Sequence, residues 1–379
     1  MNNKLLLSSA LVGGLALTGI ASAQTTITGS LDLSYKTISN KGTVTKQTDA
    51  GFGRESQVNI ANKGKLSNGL DYAAGFSLEF DGKSGSASAG NTSSAPTVTS
   101  VQSNLQRISR ENMFMDIIIG TTTLSVGMDH LNNMSYSSAP RVAQHADTTA
   151  ASAQFAGTAA LDNASNTGGE IYQFYPGATS LGASNYMGLG IQQATPIGTI
   201  TGQYFPKATA QQGSNDGVAR SDVADAYELH YRGDLGVKGL NANLGYNVVH
   251  SAAAVSGQSK KQKGTAMGIG YNMGQFALGY QRNTTDNGAP IGTLTDITSH
   301  EIGATFAATK DISIGVTHVK TDGRAAGTVT ATDEKIKSLT VGYNLGAITV
   351  SATVGELENS RGVSGNDSDI VLVRAGTRF

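Results

Sequence analysis

The sequence has no cysteine, no tryptophan and little charge. Without Cys, neither a disulfide scaffold nor a thiolate-bound metal can form. Charged residues make up 15% of the 379 and the formal net charge is −1, so no electrostatic feature points to nucleic acid as a partner. Apolar residues reach 39%, which is too many for an intrinsically disordered chain. The composition therefore indicates a folded protein without a highly charged partner.

A long apolar run is present only at the N-terminus. Lys4 precedes an uncharged apolar stretch, residues 5–20, and a small-residue Ala-Ser-Ala sequence follows and ends at Ala23. This pattern predicts a secretory signal peptide over residues 1–23 and a single mature domain over 24–379, the alternative being a short membrane anchor. The mature part has no apolar run near the ~20 residues that a membrane helix needs. It is therefore either an exported soluble protein or a membrane barrel.

Period-2 alternation of apolar and polar residues dominates the mature sequence. In residues 70–80 the even positions are Leu, Tyr, Ala, Phe, Leu and Phe, whereas the odd positions include Asp71 and Glu79. Such alternation places one set of side chains on each face of a sheet. Sixteen strands are predicted, at 25–36, 52–62, 69–80, 106–119, 121–129, 185–194, 198–206, 223–232, 239–250, 264–271, 274–283, 298–308, 311–321, 335–343, 346–357 and 368–379.

The connections between these segments alternate between short and long. Short Gly-, Asn- or Asp-containing turns such as 272–274 and 344–346 alternate with long polar stretches such as 81–104 and 208–222. Short turns at one end and long loops at the other are typical of transmembrane barrels. An even number of strands places both chain ends on the side of the short turns. Because the mean hydropathy is only slightly negative, a barrel that offers every second residue to lipid also fits the composition.

The longest connection lacks clear alternation and spans about residues 130–184. A structureless loop of this length is either functional or a sign of a wrong assignment. In a barrel such a loop has a natural place inside the lumen, which it narrows. Residues 170–176 could instead form a further strand, which would break the even count, and both alternatives stay open at this stage.

The chain end and the second strand carry a family resemblance. The sequence closes on the alternating strand Asp-Ile-Val-Leu-Val-Arg-Ala-Gly-Thr-Arg-Phe, and residues 56–64 read Ser-Gln-Val-Asn-Ile-Ala-Asn-Lys-Gly. Together with the long loop after the fifth strand, these segments resemble the general porins of Gram-negative bacteria. The resemblance implies an all-β, transmembrane antiparallel β-barrel of about 16 strands, with short periplasmic turns and the third loop folded into the lumen.

The resemblance also implies a function and a location. It implies a homotrimer in the Gram-negative outer membrane, in contact with its lipid and lipopolysaccharide, through which ions and small hydrophilic solutes diffuse passively. Phe379 would be the signal that the barrel-assembly machinery reads. The family carries an Arg where Gln57 stands and a Lys where Ala61 stands, with Arg54 the nearest substitute. Arg110 lies where the family has a lumen Arg.

Several ionisable residues are candidates for lining or narrowing a pore. Glu228, His230 and Arg232 alternate with apolar and aromatic residues, which is equally compatible with a lumen wall and with the solvated face of a soluble sheet. If the long loop folds inward, its acids could face Arg110 and Arg232 and set a transverse field, although surface loop charge is the alternative. The full set of pore-lining candidates is Arg54, Gln57, Arg110, Asp116, Asp129, Arg141, Asp147, Asp162, Glu170, Glu228, His230 and Arg232.

Catalysis and metal binding find little support in the sequence. No HExxH, GxSxG or phosphate-binding motif occurs, so the protein is not expected to be an enzyme and no cofactor is expected. His130 and His145 could form a pair, but a structural or catalytic metal site needs three or four ligands. The alternative function is a secreted β-rich surface protein or adhesin without a pore. A barrel enzyme such as an outer-membrane lipase would need a Ser–His pair, and no persuasive one is found.

Overall fold

The chain is a β-barrel. The computed structural model describes residues 23–41, 48–79, 109–128, 130–131, 138–140, 142, 187–206, 223–251, 261–286, 297–322, 332–359, 364–365 and 367–379. These residues form sixteen strands. In this part of the chain, no helix is long and apolar enough to span a membrane. The signal peptide predicted over residues 1–23 lies almost entirely outside the described residues.

Each predicted strand coincides with an observed one, and only the ends differ. For example, the tenth strand begins at Lys261 rather than at 264, and the first extends to Asn40. Residues 170–176 lie outside the described part of the chain. The strands are β1 (Gln24–Asn40), β2 (Thr48–Lys65), β3 (Asp71–Glu79), β4 (Ser109–Ile119), β5 (Thr122–Met128), β6 (Met187–Thr195), β7 (Gly198–Phe205), β8 (Val223–Gly233), β9 (Leu240–Ser251), β10 (Lys261–Met273), β11 (Phe276–Asp286), β12 (Ile297–Ala307), β13 (Ile312–Asp322), β14 (Glu334–Asn344), β15 (Ile348–Glu358) and β16 (Ser368–Arg378).

The sheet closes on itself without an edge. Every strand pairs antiparallel with its sequence neighbours, and β16 pairs with β1 to complete the ring. At the seam, the amide of Gly29 donates to the carbonyl of Phe379 over 2.7 Å, and the amide of Phe379 donates back to the carbonyl of Gly29 over 3.0 Å. Closure satisfies the backbone hydrogen bonds that an open edge would leave unpaired in a hydrocarbon environment. The predicted antiparallel barrel of about 16 strands is confirmed.

The two faces of the barrel wall have opposite chemistry. Large apolar side chains cover the outside, where Met115 is 63% exposed and Leu244 is 58% exposed. The inside carries polar side chains that are almost fully buried, such as Gln281 and Glu301. A water-soluble protein has the reverse arrangement, so the outer surface is suited to a surrounding of lipid.

All the tight turns lie at one end of the barrel, which we call the turn end. The opposite end, the loop end, receives the long connections. At the turn between β14 and β15, Gly346 has a φ of +88° and its amide donates to the Asn344 side chain over 2.9 Å. Gly274, between β10 and β11, has a φ of +73°. A residue without a β-carbon adopts this conformation at little cost, which explains the Gly in these short connections.

Candidate functional site

The inner wall of β8 to β13 carries a group of buried polar side chains. The Gln281 side chain donates to Asn283 over 2.8 Å, and the hydroxyls of Ser299 and Thr321 lie 2.6 Å apart. Such amide and hydroxyl groups act as both donors and acceptors, so buried polar side chains of the wall can pair with one another. The buried polar residues of this wall are Glu228, His230, Asn243, Asn247, Gln281, Asn283, Ser299, Glu301 and Thr321.

The segment that follows β5 begins against the inner wall. The ring of His130 stacks on Phe114 of β4 with centroids 3.8 Å apart, and its Nε2 lies 3.0 Å from a carboxylate oxygen of Asp116. Gln203 of β7 donates to the carbonyl of Leu131 over 2.7 Å. The start of the long connection is therefore bound inside the barrel rather than at its rim.

A second stretch of the same segment also lies inside. The amide of Ser138 donates to the Gln281 side chain of β11 over 3.1 Å. Ser138 is 3% exposed and Ala139 is 1% exposed, so both are almost fully buried. These stretches have the position expected of a third loop that narrows the lumen, while the rest of that loop lies outside the described residues.

Five of the predicted pore-lining residues have described side chains, and these lie on the inner faces of three strands, β2, β4 and β8. Glu228 and His230 are buried on the inner face of β8, and Asp116 is buried on the inner face of β4. Gln57 is half-buried on β2 and pairs with the inward-facing Ser30. The structure therefore places these residues on the interior side of the wall. Alternation alone was equally compatible with the solvated face of a soluble sheet.

Arg232 continues the inner row of β8 but lies at the turn end. It pairs with Thr199, one residue from the turn that joins β6 to β7. It lines a cavity of about 690 Å³ together with His230, Gln192 and Asn241. Arg232 is thus a cation in this cavity, which we call the polar mouth. It lies near the turn end of the barrel rather than at its mid-height.

For Arg54 and Arg110 the backbone register differs from the predicted lumen position. The side chains of both residues lie outside the described part of the structure. Arg54 pairs with Leu33, which is 50% exposed on the outer face. Arg110 pairs with Leu78, and the register of β3 and β4 shifts between Gly75 and Ser77. Cross-strand partners share a face of a sheet. The register therefore does not support the lumen prediction for either arginine, which stays a prediction.

A β-bulge is the physical reason for the Arg110 difference. Asn112 has a φ of +48° and adds one residue to β4 opposite β3. Its side chain donates to Ser77 over 3.3 Å on the inner face. One extra residue inverts the alternation beyond it, so faces counted from Asp116 do not carry through to Arg110. No pattern in the sequence signals this bulge.

The remaining predicted residues belong to the long connection. They all lie outside the described residues, and their roles stay predictions: Asp129, Arg141, Asp147, Asp162 and Glu170. Among the described residues, no cluster of three or more His, Asp or Glu side chains could hold a metal ion. Sequence reasoning missed the stacking of His130 on Phe114 and the role of Gln281, because contacts between a loop and distant strands leave no periodic signal.

Comparison with known proteins agrees with this architecture. The sequence matches the family described as Gram-negative porin over residues 8–369. Comparison with curated proteins finds no significant match.

Solved structures show the same fold at low identity. An anion-selective porin from Comamonas acidovorans aligns with a TM-score of 0.62 and 14% identity, covering 94% of this chain and 100% of that one. A loop L8 deletion mutant of OmpT, an outer membrane protein of Vibrio cholerae, aligns with a TM-score of 0.57 and 13% identity, covering 94% and 99%. A triple mutant of the Rhodopseudomonas blastica porin aligns with a TM-score of 0.51 and 14% identity, covering 94% and 100%. Since the family match spans most of the sequence, the chain belongs to the Gram-negative porin family.

Proposed function

We propose that this outer-membrane porin lets ions and small hydrophilic solutes diffuse through a water-filled interior that the segment after β5 narrows. The observation that carries this proposal is the inverted wall, apolar outside and polar inside, with Ser138 and Ala139 enclosed within the ring. A barrel of this many strands cannot fill its interior with its own wall side chains. The family supports a channel rather than a secreted adhesin, whose apolar faces would have to be covered.

Charge within the interior would bias which ions pass. Asp116 with its partner His130, together with Glu228 and Arg232, places both signs of charge on the inner wall. We propose that the loop residues Asp129, Arg141, Asp147, Asp162 and Glu170 add to this field, as rings of charged side chains do in other pores. Arg54 and Arg110 belong to this proposal only through the family resemblance. No catalytic activity and no cofactor are proposed.

Partners outside the barrel are also proposals. The family is generally trimeric, and a homotrimer would bury part of the exposed apolar band between subunits. Residues 1–23 would direct export and be cleaved, and Phe379, which is 70% exposed, would be accessible to the barrel-assembly machinery.

Charges on the outer surface at the loop end fit contact with lipopolysaccharide. Lys41 lies 2.7 Å from Asp369, and Lys320 lies 2.9 Å from Asp333. The hydrogen bond to Asp369 raises the pKa of Lys41, and the hydrogen bond from Lys320 lowers the pKa of Asp333, so each group holds its charge. A band of paired cations and acids above the apolar surface would meet phosphate headgroups and the cations that accompany them.

Planar-bilayer recording tests the channel. Purified protein, added to one side, should give discrete conductance steps, and a salt gradient should give a reversal potential that reports ion selectivity. Fractionation should place the protein in the outer membrane, and the unboiled protein should migrate differently from the boiled one on a gel. A folded protein in the outer-membrane fraction that never conducts would refute the channel and favour a structural role.

A further inference from the structure

Three glycines form a row across the inner wall. Gly270 of β10 pairs directly with Gly279 of β11, and Gly279 pairs directly with Gly303 of β12. All three are buried on the inner face. Adjacent strands lie about 4.8 Å apart, so the row is a shallow track that crosses three strands.

The segment after β5 rests on this track. A β-carbon built on Gly303 would lie 2.5 Å from the carbonyl oxygen of Pro140. β-Carbons on Gly270 and on Gly279 would both collide with the carbonyl oxygen of Ser138. These distances are shorter than any real van der Waals contact of a β-carbon, so the loop backbone occupies the space that side chains would need.

The contact continues beyond the row on both sides. A β-carbon on Gly315 of β13 would lie 2.7 Å from Cγ2 of Val142, and one on Gly190 of β6 would lie 2.5 Å from Cδ1 of Leu131. Glycines thus meet the segment at each of its described stretches. The amide of Ser138 is held by Gln281, which stands two residues after Gly279 on the same inner face.

Backbone conformation does not explain these glycines. None of Gly190, Gly270, Gly279, Gly303 and Gly315 is among the described residues with positive φ, unlike the turn glycines. Glycine in the interior of a strand weakens the strand and often marks a place where another backbone approaches closely. Space for the loop is therefore the reason for their presence.

We propose that Gly270, Gly279, Gly303 and Gly315 form a glycine seat that determines how far residues 138–140 and Val142 project into the lumen, and thereby the width of the channel. These glycines are positioning residues, because they act through the loop and not by touching the solute. The statement about channel width rests on the proposed function. The contact between the wall and the loop does not. A side chain at the seat lifts the loop backbone away from the wall.

Single-channel conductance tests the seat. Gly279→Ala should lower the conductance by about one tenth to one third, because the clash pushes the loop backbone about 1 Å away from the wall and into the lumen. Gly279→Val should lower the conductance further. The matched control is Gly355→Ala on the inner face of β15. There the added β-carbon meets only strand atoms, 3.2 Å from the carbonyl of Lys337 and 3.6 Å from Cβ of Ser338, so the conductance should not change.

A cysteine pair tests the contact without relying on conductance. The natural chain has no Cys, so the double variant Val142→Cys, Gly315→Cys can form only one disulfide. Since Cγ2 of Val142 approaches the Gly315 β-carbon position to 2.7 Å, the two β-carbons can reach the ~3.8 Å of a disulfide. Mild oxidation of the folded protein should form the bond and leave the conductance near that of the parent. The control pair Val142→Cys, Gly355→Cys should stay reduced.

The outcomes separate the seat from the channel. If the Val142–Gly315 cysteine pair stays reduced in a heat-modifiable barrel, the seat is refuted, and this arm holds even if the Gly279 variants fail to fold. If the disulfide forms but Gly279→Val conducts like the parent, the seat does not set the channel width and the inference is overturned. If the disulfide forms in the double variant but the parent protein never conducts, the proposed channel is overturned and only the contact between loop and wall remains.

Discussion

The inverted wall predicts that a charge introduced on the outer face of a strand destabilises the barrel far more than one introduced on its inner face. Leu244 lies near the middle of β9 and is 58% exposed on the outer face, while Asn241 of the same strand lines the polar cavity at the turn end. We expect Leu244→Lys to destabilise the barrel in lipid by about 2–4 kcal/mol, the cost of a charged side chain at the midplane of a membrane barrel. That cost lowers the folded-to-unfolded ratio by about 30- to 700-fold.

The matched variant Asn241→Lys should cost well under about 1 kcal/mol, because its ammonium group remains in water within the cavity. Both proteins are folded into vesicles of defined lipid thickness, and unfolding is followed in urea by the migration of unboiled samples on a gel. The free energy of unfolding and the urea dependence are compared with those of the parent, so that a change in stability is distinguished from a change in the unfolded state.

The result that would refute the reasoning is specific. Equal destabilisation by the two lysines would mean that the outer face of β9 does not meet hydrocarbon. Greater destabilisation by Asn241→Lys would mean that the interior is a dry core. Either outcome would remove the physical basis of the channel.

The other predictions concern the seam, the mouth and the loop. Phe379→Ala should reduce the amount of folded barrel in the outer membrane several-fold, as measured by quantitative blotting of membrane fractions. Normal levels would show that the Phe379 side chain has no role in assembly. Gly29→Val should slow folding into vesicles, because its side chain would enter the space that the Phe379 ring occupies, 2.5 Å from the Gly29 β-carbon position. Arg232→Gln should shift the reversal potential in a KCl gradient toward cation preference, since it removes a cation from the polar mouth; an unchanged potential would place the permeation path away from that wall. Asp116→Asn should loosen the start of the loop by weakening the 3.0 Å contact with His130, which would appear as increased current noise, and His130→Ala should have the same effect.

The fold was predictable because its signal is local and repeated. Alternation places each side chain on one of two faces, and the end of the chain alternates as the last strand requires: Val371 and Val373 are exposed outside, whereas Leu372 and Arg374 are buried inside. Short turns and long loops fixed the order of the strands, because antiparallel neighbours joined by tight turns leave few other topologies. These features need no knowledge of distant contacts.

The site was less predictable, as three cases show. Glu228 and His230 follow the alternation and lie inside, but the bulge at Asn112 disconnects Arg110 from the pattern. Arg232 lies on the expected face, yet its depth follows from the pairing with Thr199 beside a turn. Depth along the barrel and irregularities in register depend on the neighbouring strands and not on the strand that carries the residue.

Period-2 alternation and the spacing of turns were sufficient to predict sixteen strands with one apolar and one polar face, because side-chain direction in a strand has a fixed period. The family resemblance of the second and last strands was needed to predict that these strands close into a barrel. Only the tertiary structure decided that Gly270, Gly279 and Gly303 stand in one row and that the loop after β5 rests on them. Those glycines are far apart in the sequence from Ser138 and Pro140. Their meeting depends on ring closure and on strand register, which bring distant positions together without leaving a mark in either segment alone.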